Sequence, residues 1–362
     1  MNTKARIVGP DIVRCIAALF VVCVHYFFNC GYYDTPMNST TMIGMTAARW
    51  LFLCCVPLYM MLTGYFKCNK EPNKAHYLSL IPVLVAYIII SVIKVFVGNH
   101  YYGKIYGVKE ALQSMGNYTI AWYVGFYFSL MAIAPFLNRM WHALINKKEK
   151  QILIISLVII STLYPVIALP AVSSNSVIAS ISSVIELATP NYWQMIYPLV
   201  YYFLGCYLRE YQPKVNKLVL LFTLIACVVF ETFISYYYAA KGAFNWSVLG
   251  ATDCGYNCIT VVISSLCIFL LFYNIDLKCN VIKKLLATIS GVTLEIYLFS
   301  AIFDIILFAY AKKKYFEMND YAWLFFILVP INFISSLILS LIYKKLYTLV
   351  AKLFKSGSSS VK

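Results

Sequence analysis

Two ionisable side chains, Arg14 and His25, lie within one apolar segment, DIVRCIAALFVVCVHYF (residues 11–27). Eleven helical residues at ~100° each complete about three turns, so both side chains project from one face, ~16 Å apart along the axis. An ionised side chain at the centre of a bilayer costs ~2.5–3.5 kcal/mol or more. A single residue of this kind can extend its charged end to the membrane interface, or make one hydrogen bond to a neighbouring helix. Two on one face predict a polar cavity inside a helical bundle.

The two side chains suit different chemistry. His25 is the only histidine inside an apolar run, since His76, His100 and His142 fall near the ends of theirs. A neutral imidazole can take a proton from a hydroxyl group. The guanidinium of Arg14 presents a fork of donors that matches phosphate oxygens. The pair therefore indicates general-base chemistry close to an anion site.

The elements that position this pair are predicted to be transmembrane helices. The chain has 362 residues, of which 62% are hydrophobic and only 12% are charged, unlike a soluble globular domain. Several nearly uncharged runs are long enough to cross a hydrocarbon core ~30 Å thick. They lack the residue-by-residue alternation of barrel strands. The predicted fold class is all-α, a polytopic membrane protein.

Apolar runs separated by polar, Gly or Pro clusters predict about ten transmembrane helices. The predicted spans are 11–31, 43–66, 76–97, 119–140, 151–170, 192–209, 217–240, 256–274, 286–311 and 321–346. Most Lys and Arg residues fall on the side of the N-terminus, which predicts that both termini are cytoplasmic. The run of three lysines at 312–314 is the exception. Residues 1–350 are predicted to form one transmembrane domain and residues 351–362 a flexible cytoplasmic tail.

Charge, cysteine and motif content exclude several classes of function. The net charge of +15 comes from short clusters between apolar runs, so the basic residues are read as topology signals and no nucleic-acid partner is expected. Most of the twelve Cys lie in apolar runs, which is not typical of a disulfide framework. The sequence has no HExxH, no paired CxxC and no glycine-rich phosphate loop after a strand, so no metal or nucleotide-loop chemistry is expected.

Five segments, in order along the chain, resemble the motifs of acyltransferase family 3, the integral-membrane acyltransferases whose first helix carries Arg and His with ten residues between them. Any one match is weak, but five in the same order are specific, and they extend over most of the chain. The segments are the Asp11-to-His25 stretch, VPLYMMLTGYF (56–66), AWYVGFYFSLMAIAPFL (121–137), YPLVYYFLGCYLRE (197–210) and ISGVTLEIYLFSAIF (289–303).

The resemblance implies an O-acetyltransferase-like enzyme of the cell membrane, which transfers groups other than aminoacyl groups. It implies a cytoplasmic acyl-CoA donor, usually acetyl-CoA, and an acceptor hydroxyl on a glycan or lipid-linked sugar at the outer face. In that reaction His25 is expected to be the general base and Arg14 to hold the CoA phosphates. Membrane lipids are the other expected partners, and the chemistry needs no metal.

Further site residues are predicted for the donor and for the acceptor. Donor contacts are expected from Thr63, Gly64, Lys67 and Arg139, and acceptor contacts from Asp34, Trp122, Tyr123 and Glu295. Glu295 and Asp304, nine residues apart, should point to opposite sides of their helix and so cannot act as one pair. Glu295 is preferred because it adjoins the Ile296-Tyr297 motif. Arg49 and Lys94 are expected to reach the outer interface, and Glu231 to hydrogen-bond a neighbouring helix.

Two other functions fit the same composition. Ten helices around a polar cavity would also suit a transporter or exporter of a polysaccharide or lipid-linked sugar, and a membrane sensor or scaffold is a weaker alternative. Neither an internal repeat nor a symmetric pair of Gly/Pro-broken helices is visible, which disfavours the transporter. Saturable binding of labelled acetyl-CoA would distinguish the enzyme from a transporter.

Overall fold

The computed structural model describes residues 8–103, 107–117, 121–168, 190–239, 242–246 and 255–359, together with positions 180 and 184. Its described residues form α-helices and short 3₁₀ turns, with no β-strand among them. The all-α prediction is therefore confirmed. The helices are α1 Val8–Asn29, α2 Thr40–Leu53, α3 Cys55–Lys67, α4 Lys74–Leu78, α5 Ile81–Tyr102, α6 Val108–Gly116, α7 Trp122–Ala143, α8 Lys147–Ala168, α9 Tyr197–Tyr211, α10 Lys217–Tyr237, α11 Ile259–Phe272, α12 Asn280–Ser290, α13 Thr293–Lys314 and α14 Met318–Ser359.

Six helical stretches in the described residues are long and apolar enough to cross a membrane. They are Val8–Asn29, Thr40–Lys67, Lys74–Tyr102, Lys217–Tyr237, Thr293–Lys314 and Met318–Leu353. A shorter apolar helix, Ile259–Phe272, adds to them. The predicted spans 119–140, 151–170 and 192–209 overlap α7, α8 and α9. The chain is therefore a multi-pass membrane protein, as its composition predicts.

Three predicted spans, 43–66, 76–97 and 286–311, are each divided into two helices by the backbone, the second of them between Leu78 and Ile81. The span 43–66 breaks at Cys54, because Pro57 has no N–H to bond the carbonyl of Leu53 and its ring crowds that carbonyl. The span 286–311 breaks after Ser290, where Gly291 ends α12 and its N–H bonds the carbonyl of Ala287. The last helix, α14, runs into the residues predicted as a tail.

Helix α1 lies at the centre of the bundle, which explains how it can carry polar side chains. It packs against α2, α3, α11, α12, α13 and α14. A helix surrounded in this way presents its side chains to other helices and to internal cavities rather than to lipid. Helices α5 and α14 both pack on α13, so residues of these three helices meet beside α1.

Helices α3 and α9 approach each other unusually closely through two glycines. A Cβ at Gly64 would overlap the carbonyl oxygen of Tyr202, and a Cβ at Gly205 would overlap the carbonyl oxygen of Met61. Small residues at such crossings let two helix backbones meet. This contact fixes α3, which carries Thr63 and Lys67, against the rest of the bundle.

Candidate active site

A cavity of about 270 Å³, named here the Arg14 cavity, opens beside α1. Both Arg14 and His25 line it, as their spacing predicts. It also brings together four other residues singled out in the sequence: Thr63, Lys67, Trp122 and Tyr123.

Contacts with α12 and α3 hold Arg14 at one end of this cavity. Its Nη1 donates to the Ser290 Oγ at 3.3 Å, and the Ser290 Oγ in turn donates to the Asp11 Oδ1 at 2.6 Å. The guanidinium carbon also lies 4.8 Å from the centre of the Phe66 ring, a cation–π contact. Arginine has five N–H donors, so the bond to Ser290 leaves most of the fork available to an anionic ligand.

Tyrosine rings form much of the cavity wall between Arg14 and His25. Tyr59, Tyr123 and Tyr297 all line the cavity. The Tyr123 ring centre lies 5.9 Å from that of Tyr59 and 6.3 Å from that of Tyr297, and the Tyr297 ring lies 5.9 Å from the His25 ring. These rings give the cavity a largely apolar wall with polar hydroxyl tips, which suits an extended ligand of mixed polarity.

A second cavity of about 260 Å³, named here the Lys94 cavity, lies on the other side of His25. Ser91 and Lys94 of α5 and Asp304 of α13 line it. The two cavities share four lining residues: His25, Phe28, Trp122 and Tyr297. His25 therefore stands in the wall between the two cavities, with access to both.

The imidazole of His25 is paired with a buried carboxylate. Its Nδ1 lies 3.6 Å from the Asp304 Oδ2, and the Asp304 side chain is only 9% exposed. The other carboxylate oxygen, Oδ1, accepts a hydrogen bond of 2.8 Å from the Nδ2 of Asn332 on α14. The Ser336 Oγ donates to the Asn332 Oδ1 at 3.0 Å and so holds the amide in place.

The position of this carboxylate bears on which nitrogen of His25 could accept a proton. A carboxylate facing Nδ1 favours the tautomer with the proton on that nitrogen, which leaves Nε2 as the basic nitrogen. It also stabilises the imidazolium that forms once Nε2 has taken a proton. The chain thus contains a histidine and an orienting carboxylate beside two cavities, an arrangement suited to activating a hydroxyl nucleophile.

Four predicted site residues do not line either cavity. Gly64 serves the contact between α3 and α9 described above. Arg139 lies 3.6 Å from Glu71 in an ion pair whose side chains are more than half exposed. Asp34 is exposed in the 3₁₀ turn that follows α1. Glu295 lies two residues before Tyr297, about 200° around the helix, and so points away from the cavities.

Sequence reasoning missed Asp304, and it placed Arg49 wrongly. Asp304 follows Tyr297 by seven residues, two helical turns, so a shared face with Tyr297 could have identified it. Arg49 was expected to reach the interface, but it is 1% exposed and stacks on the rings of Trp50 and Phe244 at 4.3 and 4.7 Å. Arg49 lies on the side of α2 that faces the Phe244 ring inside the protein, and this position keeps its side chain from the interface.

Comparison with known protein families finds a match over nearly the whole chain. The family model of the acyltransferase family 3 domain, described as an acyltransferase domain, matches residues 7–343. The chain belongs to this family. The match spans α1 to most of α14 and includes every residue of both cavities. Searches of curated proteins and of solved structures find no match.

Membership of the family makes the chain a membrane acyltransferase, which confirms the coarse functional prediction. It also implies a lipid environment, an acyl donor and an acceptor. Within the described residues no cluster of three or more His, Cys, Asp or Glu could hold a metal ion.

Proposed function

We propose that this acyltransferase moves an acetyl group from cytoplasmic acetyl-CoA to a hydroxyl group of a cell-surface glycan or lipid-linked sugar. The observation that carries the proposal is the position of His25 in the wall shared by two cavities, with Asp304 behind it. A base in that position can meet a donor from one cavity and an acceptor from the other. The enzyme works as one domain of about ten transmembrane helices, residues 1–350, in the cell membrane, with both termini in the cytoplasm.

The proposed orientation makes the Arg14 cavity the donor side. Arg14 lies near the start of α1 and Lys67 at the end of α3, so both stand at the cytoplasmic end of the cavity in this orientation. Their charges suit the phosphates of CoA. Thr63 and the Tyr59 and Tyr123 rings lie farther along the wall, where the pantetheine arm would extend towards His25.

The proposed reaction is a direct transfer. The Nε2 of His25 takes the proton of the acceptor hydroxyl. At the same time the hydroxyl oxygen attacks the carbonyl carbon of the thioester and forms the new C–O bond. The C–S bond then breaks, and the CoA sulfur leaves with the proton returned by His25. Asp304 carries no proton in this scheme; it orients the imidazole and stabilises its charged form.

The position of His25 and Asp304 inside the helical bundle would favour catalysis in two ways. The donor thioester and the base are brought together from different sides, so that the reaction becomes effectively intramolecular. Charges and dipoles also interact more strongly in such a site than in water.

Labelled acetyl-CoA tests this proposal in two steps. The purified full chain in lipid should bind it saturably, and native membranes should transfer the label to envelope material in a base-labile ester. Absence of saturable binding would contradict the proposal and favour a transporter. Comparing envelope glycans of a deletion strain with those of its parent by mass spectrometry should show the loss of one ester type and so identify the acceptor.

A further inference from the structure

The Lys94 cavity contains polar groups that the catalytic pair does not use. Ser91 and Lys94 are three residues apart on α5, so they share one face of this helix, and both line the cavity. An ionisable residue within a membrane-spanning helix is costly to bury and is a candidate functional residue. The cavity also has Trp122 and Tyr297 as aromatic walls.

Ser91 provides an independent sign that a ligand belongs here. The residue is 1% exposed, and its Oγ is buried without a hydrogen-bond partner among the described residues. A serine in an apolar helix ordinarily bonds the carbonyl four residues earlier, which here is that of Tyr87. A buried hydroxyl left unbonded costs free energy, and a ligand in the cavity that Ser91 lines would satisfy it.

We infer that the Lys94 cavity is the acceptor subsite and that Ser91 and Lys94 select a single, uncharged sugar ring by hydrogen bonds to its hydroxyls. This inference rests on the proposed function, because it names the residues that recognise the acceptor of that reaction.

The size and charge of the cavity support this class of ligand. Its volume of about 260 Å³ is below the ~300–1,000 Å³ of sites for drug-sized ligands, so the part of the acceptor that it encloses is one ring. A cation, Lys94, and a carboxylate, Asp304, line the same small space, so its field favours a neutral polar ligand over an ion of either sign. Trp122 and Tyr297 offer apolar faces to the C–H side of the ring.

The ring hydroxyls would hydrogen-bond both polar groups. The Lys94 ammonium can donate up to three hydrogen bonds, and the Ser91 hydroxyl can donate one and accept others. A sugar held by these two side chains would present a further hydroxyl to His25, which lines the same cavity. Ser91 and Lys94 would therefore set which acceptor is used, without taking part in the chemistry.

Two substitutions and one matched control test this inference. Ser91→Val fills the space beside the hydroxyl, and Lys94→Met removes the charge while keeping the length of the side chain. Ile93→Met is the control, because Ile93 lies between them on α5, is 39% exposed and lines neither cavity. Membranes of the native host contain the endogenous acceptor and serve as the assay medium. The readouts are the initial rate of label transfer from acetyl-CoA to envelope material and the Kd of labelled acetyl-CoA.

Transfer should fall about tenfold or more in K94M, the factor expected for the loss of a hydrogen bond to a charged group. A similar fall is expected in S91V, because the valine side chain would block the acceptor from the cavity. The Kd of acetyl-CoA should stay within about twofold of wild type, since the donor occupies the other cavity, and I93M should transfer normally. Wild-type transfer by both variants would overturn the inference. A parallel loss of donor binding would also overturn it, since it would reveal a structural role. A wild-type chain that neither binds acetyl-CoA nor transfers label overturns the proposed function as well.

Discussion

Ionisable side chains lie inside this bundle in two settings that differ in what surrounds them. Arg14, His25 and Asp304 line cavities. Arg49 and Glu231 are buried as deeply or more deeply, at 1% and 0% exposure, yet line neither the Arg14 cavity nor the Lys94 cavity.

The second setting is a packed structural cluster. Arg49 stacks on two aromatic rings, and its Nε donates to the Tyr33 Oη at 3.4 Å. The Oε1 of Glu231 accepts a hydrogen bond of 2.6 Å from the Oγ1 of Thr260, as the sequence predicts for a residue that bonds a neighbouring helix. These contacts join α2 to Tyr33 and Phe244, and α10 to α11.

The difference teaches how to interpret a charge within a membrane span. Burial alone is shared by both groups, so it does not separate function from structure. Adjacent open space does separate them, because only a group that borders a cavity can meet a substrate. Substitutions in the cavity group should therefore change activity, and substitutions in the packed cluster should change stability.

The largest effect is expected at His25. Replacing it by Gln should lower the transfer rate by ~10²–10⁴-fold, the usual contribution of a general base. The Kd of labelled acetyl-CoA should hardly change, because the phosphates are held at the other end of the cavity. The measurement is the initial transfer rate at equal amounts of folded protein. Transfer at the wild-type rate would remove His25 from the mechanism.

Asp304 should have the next largest effect. Asp304→Asn keeps the shape but removes the charge that orients and stabilises the imidazole, so transfer should fall ~10–100-fold, the cost of losing an interaction of ~1.5–3 kcal/mol with a charged group. Asp320→Asn, at an exposed position near the start of α14, is the matched control and should be silent. Equal rates for the two variants would show that His25 works without its carboxylate.

A substitution of Arg14 is expected to weaken the binding of acetyl-CoA more than it slows the chemical step. Arg14→Lys keeps the charge but loses the fork, so the KM for acetyl-CoA should rise about tenfold with a smaller change in kcat. Arg139→Lys is the control, because Arg139 is exposed, pairs with Glu71 and lines neither cavity. An equal rise in KM for both variants would place the donor phosphates nearer Arg139.

The smallest effect on activity is expected in the packed cluster. Arg49→Met should lower the melting temperature by several degrees, since a change of ~1 kcal/mol moves Tm by ~2–4 °C in chains of 150–250 residues and the lost contacts are worth more than that. Its transfer rate per folded molecule should stay within about twofold of wild type. Loss of transfer without a change in Tm would show that the two settings are not functionally distinct.

The sequence predicted that two polar side chains of α1 line one cavity, because that arrangement depends on local spacing. The interval from Arg14 to His25 fixes a shared face whatever the bundle around it, and both side chains do line one cavity. Apolar runs likewise predicted helices, apart from the breaks that Pro57 and Gly291 impose.

Residues brought in from distant helices were harder to predict. Asp304 approaches His25, and Asn332 bonds Asp304, only through the packing of α13 and α14. Ser91 and Lys94 line the cavity beside His25 only because α5 packs on α13. Glu295 was preferred to Asp304 because one helix alone does not reveal which of its faces meets α1. Arg49 was misplaced for the same reason, since its aromatic partner Phe244 is far away in the sequence.

The central claim is that His25 activates an acceptor hydroxyl in one cavity to attack the donor thioester in the other. The most direct test supplies labelled acetyl-CoA only to the cytoplasmic face of sealed native membrane vesicles and measures label in base-labile esters on the opposite face. The account predicts sided transfer by the wild-type chain and, for His25→Gln, normal binding of acetyl-CoA with almost no transfer. Undiminished transfer by the His25→Gln protein would contradict it.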